Sequence, residues 1–413
     1  MRTKRRGRKK MTVTRRKQSG GDPKFTVMTF NVESWNTLIK TQEEREDFVK
    51  FMNDPGTIEG PEKWKATKDI FMSADIICVQ EDALVKDGGA FKSFISQIGD
   101  WKQVASCQTH DFYWPNNITL YGPGSKLANS IYSKFDKENG SESASIEAQL
   151  KNNFTINTAQ TFERCWAISK IQIEPGSEIT VASIHLSGGR QDDMSSLVGD
   201  NFIIKIRQIN ELVTKNPDLD IFCLDSNTKL RKDFDSMKSP VDVKMDDNQT
   251  SKEDKYFMEL SISVKDILEN KNMLDNPLYL GLEDSSETVP ANTIPIRRVY
   301  ELIAKKLEGD ETEMADWKKI TLKQKWYIWM YGLDHFIKEY LKFQSVYDID
   351  GVTIEDTTIY GGTVDGIYYK ADKVTANKVE FVEGVIDFSK EKPLERKILS
   401  DHRPVKATFA VTK

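Results

Sequence analysis

Cysteine, histidine and long apolar runs are all scarce in this 413-residue chain. The four cysteines are Cys78, Cys107, Cys165 and Cys223, and no two form a C-x-x-C pair. That excludes a thiolate zinc centre of the usual spacing. Three of them lie in apolar strand-like runs (ADIICVQ, ERCWAIS, DIFCLD). All four therefore read as small buried hydrophobes of a reducing compartment rather than as a disulfide framework. No apolar run approaches the roughly 18 residues that cross a bilayer, so no membrane span is expected. No apolar stretch follows the basic N-terminus as it would in a secretory signal. The expectation is an intracellular protein, in nucleus or cytoplasm, that is not secreted. Glycine and proline together are 36 of 413 residues (23 and 13), too few for a fibrous or low-complexity chain.

Charge is abundant but unevenly placed. The formal net charge is −5, from 59 Lys and Arg against 64 Asp and Glu. Residues 1–20 hold ten of those cations and no acid, which leaves 49 against 64 and a charge of −15 on the rest. A uniformly basic nucleic-acid binder is excluded. The first 22 residues contain one Val and two Met and end in Ser-Gly-Gly-Asp ahead of Pro23, so they read as a disordered basic arm. The body, 23–413, alternates short β-rich runs with amphipathic stretches. The expected strands are FTVMTFN, ADIICVQ, ANSIYS, CWAISKIQI, EITVASIHL, DIFCLD, TVDGIYYK, KVEFVE and PVKATFAV. Several are apolar on both faces, as in strands covered on both sides. Phe202, Ile206, Ile209 and Val213 fall at helical spacing, with Lys205, Arg207 and Gln208 off the stripe. From about 236 to 345 the texture changes: an acidic start is followed by a helical stripe of Leu322, Trp326, Trp329, Leu333, Ile337 and Leu341. This region reads as a helical insertion, chiefly a surface helix packed on the main domain.

Polar residues emerge repeatedly from the ends of apolar strands. Asn31 follows VMTF, Glu81 follows IICVQ, His185 ends EITVASIH, and Asp225 and Asn227 follow IFCL. Asp365 interrupts TVDGIYY, and Asp401 and His402 precede the last strand. Any one of these has an ordinary reading as a turn cap. Together they require pairing or a cation, because carboxylates at apolar strand ends are costly when left alone. Several carboxylates with two His and two Asn make a hard, oxygen-rich set suited to Mg²⁺ or Mn²⁺, and that chemistry points to phosphate esters.

The ordered set TFN, QE, SIHL, LDSN, VDGIYY and SDHRPV resembles the endonuclease/exonuclease/phosphatase superfamily, the DNase I-like fold, over 25–410 apart from the insertion. ANSIYSK is similar to its N-x-I-x-S segment, and Arg164 falls where an Arg often precedes the next strand. HLSGGRQDD and VDGIYY look most like members encoded by large DNA viruses. The resemblance implies an α+β, four-layer α/β/β/α sandwich of two mixed sheets. It also implies roles. Glu81 is the main metal ligand, with Asn31 and Asp401 completing the shell. Asp225 orients and deprotonates the attacking water, and Asn227 holds the water or a phosphate oxygen. Asp365 orients His402, which stabilises charge on the phosphoryl group, and His185 contacts the phosphate or protonates the leaving oxygen. Two departures stand out: Leu224 replaces the Gly that usually precedes D-x-N, and Gly366 follows Asp365 where relatives carry an aromatic or Arg. The stretch LDSNTKLRKDF is faintly similar to tyrosyl-DNA phosphodiesterases, so phosphodiester cleavage in nucleic acid is the first expectation. A phosphomonoesterase acting on inositol phosphates or nucleotides, and a non-catalytic basic-armed nucleic-acid-binding or packaging protein, are the alternatives. The arm suits nucleic-acid phosphates and a nuclear-import receptor equally.

Overall fold

The computed structural model describes residues 23–33, 62–84, 94–96, 98–111, 126–137, 146–147, 165–186, 200–228, 230, 333–334 and 336–412. The basic arm, Arg164 and residues 231–332, which hold most of the expected insertion, lie outside them.

Every expected strand is present. In chain order they are β1 (Lys24–Asn31), β2 (Ile76–Leu84), β3 (Lys102–Asp111), β4 (Lys126–Ser133), β5 (Asp136–Lys137), β6 (Ile146–Glu147), β7 (Cys165–Glu174), β8 (Ser177–His185), β9 (Ile221–Asp225), β10 (Gln344–Ser345), β11 (Asp365–Tyr369), β12 (Val374–Phe381) and β13 (Val405–Val411). They form two mixed sheets. One runs β12-β13-β1-β2-β4-β3, and the other runs β10-β11-β9-β8-β7-β5 with β6 beside β7. Each sheet has a parallel pair at its centre, β1 with β2 and β8 with β9, and is otherwise antiparallel.

The period-two pattern of β1 and β2 explains the layers. Phe25, Val27, Ile76 and Cys78 join the large core cluster shared with the second sheet. Their alternates Met28, Phe30, Ile77 and Val79 join a separate cluster with Ile70 and Phe71 of helix α1 (Glu62–Met72). Helix α2 (Asp200–Lys215) adds Ile206, Ile209 and Leu212 to the second sheet's core. The fold is thus the expected α+β sandwich of two mixed sheets, with helices on its outside.

That arrangement places the chemistry. The parallel strands end at one edge of the sandwich, where backbone leaves the ladder and polar side chains converge. β1 ends there at Asn31, β8 at His185 and β9 at Asp225, while the antiparallel β11 begins there at Asp365.

Two features differ from the sequence expectations. Cys107 and Cys165, read above as unlinked hydrophobes, form a disulfide joining β3 of one sheet to β7 of the other. The reason is positional: Cys107 sits on a strand absent from the sequence reading, and that strand faces β7 across the sandwich. Cys78 and Cys223 are free and buried, as expected. The second difference is at the end of the region assigned to the insertion. Leu333, Phe336, Ile337 and Phe343 are core residues there, and β10 pairs with β11.

Candidate active site

Three neighbouring strands set out a row of functional side chains. His185 of β8 is paired with Asp225 of β9, which is paired with Asp365 of β11. Cross-strand partners share a face, so the three side chains lie side by side. The opposite sheet supplies Asn31, whose Nδ2 donates to Asp225 Oδ2 at 2.7 Å and to Glu81 Oε1 at 3.3 Å. One amide thus bridges two carboxylates from different sheets.

Local backbone distortions aim these groups. Glu81 lies in the β2–β4 register shift between Val79 and Asp82 and has φ 54°. A bulge at this position turns the carboxylate out of the strict alternation of β2. Asn227 has φ 48° and Glu33 has φ 47°. Non-glycine residues in this region cost conformational energy, and three of the four such residues described surround one site. Asn227 is held on several sides. Its backbone N–H donates to Asp225 Oδ1 at 2.9 Å, its Nδ2 donates to Leu186 O at 2.8 Å, and Lys205 Nζ donates to its carbonyl at 2.7 Å. Its Nδ2 also lies 2.5 Å from His185 Nε2.

The electrostatics separate the carboxylates. Asp225 is fully buried, which pushes its pKa up, but His185, His402 and bonds from Asn227 and Asn31 outweigh burial and hold it below the usual range. His185 Nε2 is 3.4 Å and His402 Nε2 3.9 Å from Asp225 Oδ2. Glu81 is pushed up to about 7 by burial and by the charges of Asp401 and Asp225. Asp365 is raised to about 6, chiefly by burial, while its Oδ2 bonds His402 Nδ1 at 2.9 Å. Burial disfavours the His402 cation, but Asp365, Asp225 and Asp401 override it and lift its pKa well above the usual value.

All eight residues singled out in the sequence lie around this edge, in two groupings. Asp225, Asp365 and His402 carry potential ligand atoms within 4.8 Å of one another. Asp365 Oδ2 and His402 Nδ1 are already paired there. The other side, with Asn31, Glu81 and Asp401, is the oxygen-rich one. Asp401 Oδ1 is buried there without a hydrogen-bond partner. A hard divalent cation suits that donor set, and it would relieve the repulsion that raises Glu81. Asn31 Oδ1 accepts the Glu33 N–H at 2.7 Å while its Nδ2 faces the carboxylates, so Glu81 and Asp401 are the better oxygen donors.

Sequence reasoning missed three contributors. Glu33 Oε2 accepts the Asp401 N–H at 3.1 Å, and its Oε1 accepts from Lys397 Nζ at 2.6 Å. Glu33 is raised to about 7 by burial and Asp401, against the pull of Lys397. Its only signal was its place two residues after Asn31. Lys205, assigned to the solvent side of its helix, is 5% exposed and supports Asn227. The two departures noted in the sequence are absorbed. Leu224 is a buried core residue that leaves the Asp225 pairing regular. At Gly366 a Cβ would lie 2.7 Å from Leu230 Cδ1 and 3.2 Å from Tyr368 Cε2, so a larger residue requires the Leu230 side chain to shift.

No protein-family model and no curated protein matches the sequence. Among solved structures, the chain is similar to the human Nocturnin catalytic domain with bound sulfate, at 13% identity and TM-score 0.45 over 94% of each chain. It is similar to an endonuclease/exonuclease/phosphatase family protein from Bacteroides thetaiotaomicron, at 12% identity and TM-score 0.44 over 95% of this chain and 100% of that one. A third is D. rerio TDP2 complexed with a single-strand DNA product, at 11% identity and TM-score 0.42 over 94% and 99%. None of the three is a viral protein.

Proposed function

We propose that this chain is a divalent-metal-dependent phosphoesterase of the endonuclease/exonuclease/phosphatase superfamily that cleaves phosphodiester bonds in nucleic acid by water attack. The observation that carries this reading is Asp225. It is a fully buried carboxylate kept ionised between two histidines, beside an oxygen-rich group that suits a cation. A purely structural buried carboxylate would be expected to take up a proton or to pair with a single cation.

The geometry supports the following roles. Glu81 and Asp401 would hold Mg²⁺ or Mn²⁺, with Asn31 bridging Glu81 to Asp225. When bound, the cation would supply neutralisation of the phosphate oxygens, which lets the water and its anionic base come near the phosphate. Asp225 orients the attacking water and takes its proton, a role of roughly 10²–10⁴-fold in general-base catalysis. Asn227, fixed in its left-handed turn beside His185, would hold the water or a phosphate oxygen once a substrate displaces its Nδ2 contact with His185. His402 carries a proton held by Asp365 and so offers a fixed positive donor to charge that develops in the transition state. His185 stands beside Asp225 and Asn227, placed to contact the phosphate or to protonate the leaving oxygen.

The preference for nucleic acid draws on the ten-cation arm, which could add salt-sensitive, sequence-independent affinity for a phosphate backbone or engage a nuclear-import receptor. The Cys107–Cys165 bridge withdraws cysteine usage as an argument for a reducing compartment. Placement in nucleus or cytoplasm therefore rests on the arm.

The test offers purified protein with Mg²⁺ a panel of DNA and RNA diesters beside inositol phosphates and nucleotides, with Asp225→Asn as control. Diester cleavage lost in Asp225→Asn is the expected result. Turnover of the monoesters alone would replace this reading with the phosphatase one. Turnover of nothing would leave the non-catalytic, basic-armed protein.

A further inference from the structure

Beneath the Asp365–His402 pair lies a threonine that no motif drew attention to. Thr357 is fully buried, and both its backbone and its hydroxyl are committed to the two segments that carry the pair. Its Oγ1 accepts the Val364 N–H at 2.9 Å and the Asp365 N–H at 3.2 Å, which fixes where β11 begins. Its carbonyl accepts the Arg403 N–H at 2.8 Å, one residue beyond His402. The next residue, Thr358, forms a β-bridge with His402, and Ile359 N–H donates to Asp401 O at 3.0 Å. A single turn of chain therefore grips the start of β11 with one hand and the Asp401–Arg403 segment with the other. The loop is itself closed by the Thr357 N–H donating to Gly362 O at 3.0 Å.

The hydroxyl adds a chemical argument. Two backbone donors fill its acceptor sites, so its own proton is left to give. The Asp365 carboxylate lies beside it, and the hydroxyl is among the groups that favour the ionised carboxylate. Asp365 Oδ2 is taken by His402, while Oδ1 is buried with no hydrogen-bond partner.

We propose that Thr357 is a positioning residue for the reaction: its hydroxyl oxygen holds the Val364 and Asp365 N–H groups and its carbonyl holds the Arg403 N–H, so that Asp365 aims His402 at the reacting phosphoryl group. The inference rests on the phosphoesterase reading for its kinetic consequence but not for its geometry. Thr357 touches no substrate and acts only through the pair.

Two measurements test it. The first is a kinetic cycle on the diester that wild type cleaves best. Thr357→Val keeps the shape and removes the hydroxyl. It should lower kcat by about 3- to 30-fold, the scale of the two neutral hydrogen bonds it loses, with KM changed by less than about two-fold. Thr357→Ser keeps the hydroxyl and should restore kcat to within about two-fold of wild type. In an Asp365→Asn background the Val substitution should cost almost nothing further, since coupled residues are not additive. An equal loss in both backgrounds, or an equal loss for Val and Ser, would overturn the proposal in favour of a purely structural threonine. The second measurement needs no turnover. The low-field proton of His402 Nδ1–H, assigned with His402→Gln, should be present in wild type and Thr357→Ser and lost or displaced in Thr357→Val. An unchanged signal in the Val variant overturns the proposal. If wild type cleaves no diester, the functional reading fails, and the proton signal alone decides on Thr357. Should Thr357→Val not fold, Thr357→Ala is read on the same two measures.

Discussion

Glu81→Gln should make the metal-free protein more stable at pH 8 while removing its activity. The carboxylate is raised from 4.5 to about 7 by burial and by Asp401 and Asp225. Between those two values the folded state keeps a proton that the unfolded chain has released, so stability falls as pH rises through the window. A rise of that size corresponds to a few kcal/mol at about 1.36 kcal/mol per pH unit. The side chain is 24% exposed, and water at the mouth screens part of that repulsion, so about 1–3 kcal/mol is the working range. Glutamine keeps the size and an acceptor for Asn31 Nδ2 but never carries the charge. Urea unfolding in chelator should therefore show the variant ahead by that amount at pH 8 and level with wild type near pH 4.5. Added Mg²⁺ should then reverse the order. Wild type gains about 2.7 kcal/mol at a hundred-fold excess over its dissociation constant by mass action, and the variant responds far less. A variant less stable than wild type at pH 8 without metal would refute the reasoning. So would a difference that is the same at both pH values.

Three further outcomes follow from the packing. Asp365→Asn removes the charge that holds the His402 cation at 2.9 Å, so kcat should fall while KM stays within a few-fold, and the alkaline limb of the pH–rate profile should move to lower pH. An unchanged profile would separate His402 from Asp365. Reducing the Cys107–Cys165 bridge, which spans 58 residues between the two sheets, should lower stability by about 4 kcal/mol on loop-entropy grounds, read as a shift in the urea midpoint with and without a phosphine reductant. No shift would show that the two thiols are not joined in solution. Gly366→Ala places a methyl 2.7 Å from Leu230 Cδ1 and should destabilise by about 1–3 kcal/mol, with partial rescue by Leu230→Ala. Full tolerance in a thermal melt would contradict the packing described there.

The ends of apolar strands were the most legible part of the sequence. A polar side chain leaving an apolar strand has few reasons to be there, and Asn31, Glu81, His185, Asp225, Asp365 and His402 all meet at one edge. Strand β3 was less legible because two register shifts, between Gln103 and Ala105 and between Gln108 and His110, break its alternation. Losing that strand also lost the partner of Cys165, and with it the disulfide. Lys205 misled for a different reason. A long cationic stem can run along an apolar interface and deliver its charge to a carbonyl, so a helical stripe alone does not say which lysines face water. Glu81 owes its aim to a left-handed residue in a bulge, a feature that no residue pattern in β2 announces. Thr357 was silent because its role lies in backbone contacts between segments about 45 residues apart, 357 to 403.

The central claim is that water, positioned by Asp225 beside a cation held by Glu81 and Asp401, attacks a phosphodiester. Its most direct measurement is cleavage of a nucleic-acid diester in ¹⁸O-labelled water with Mg²⁺, followed by mass spectrometry of the products. The account predicts one solvent oxygen on the product phosphate in each turnover, with the rate collapsing in Asp225→Asn and in chelator. Cleavage without solvent oxygen in the phosphate, or cleavage at the wild-type rate by Asp225→Asn, would contradict it.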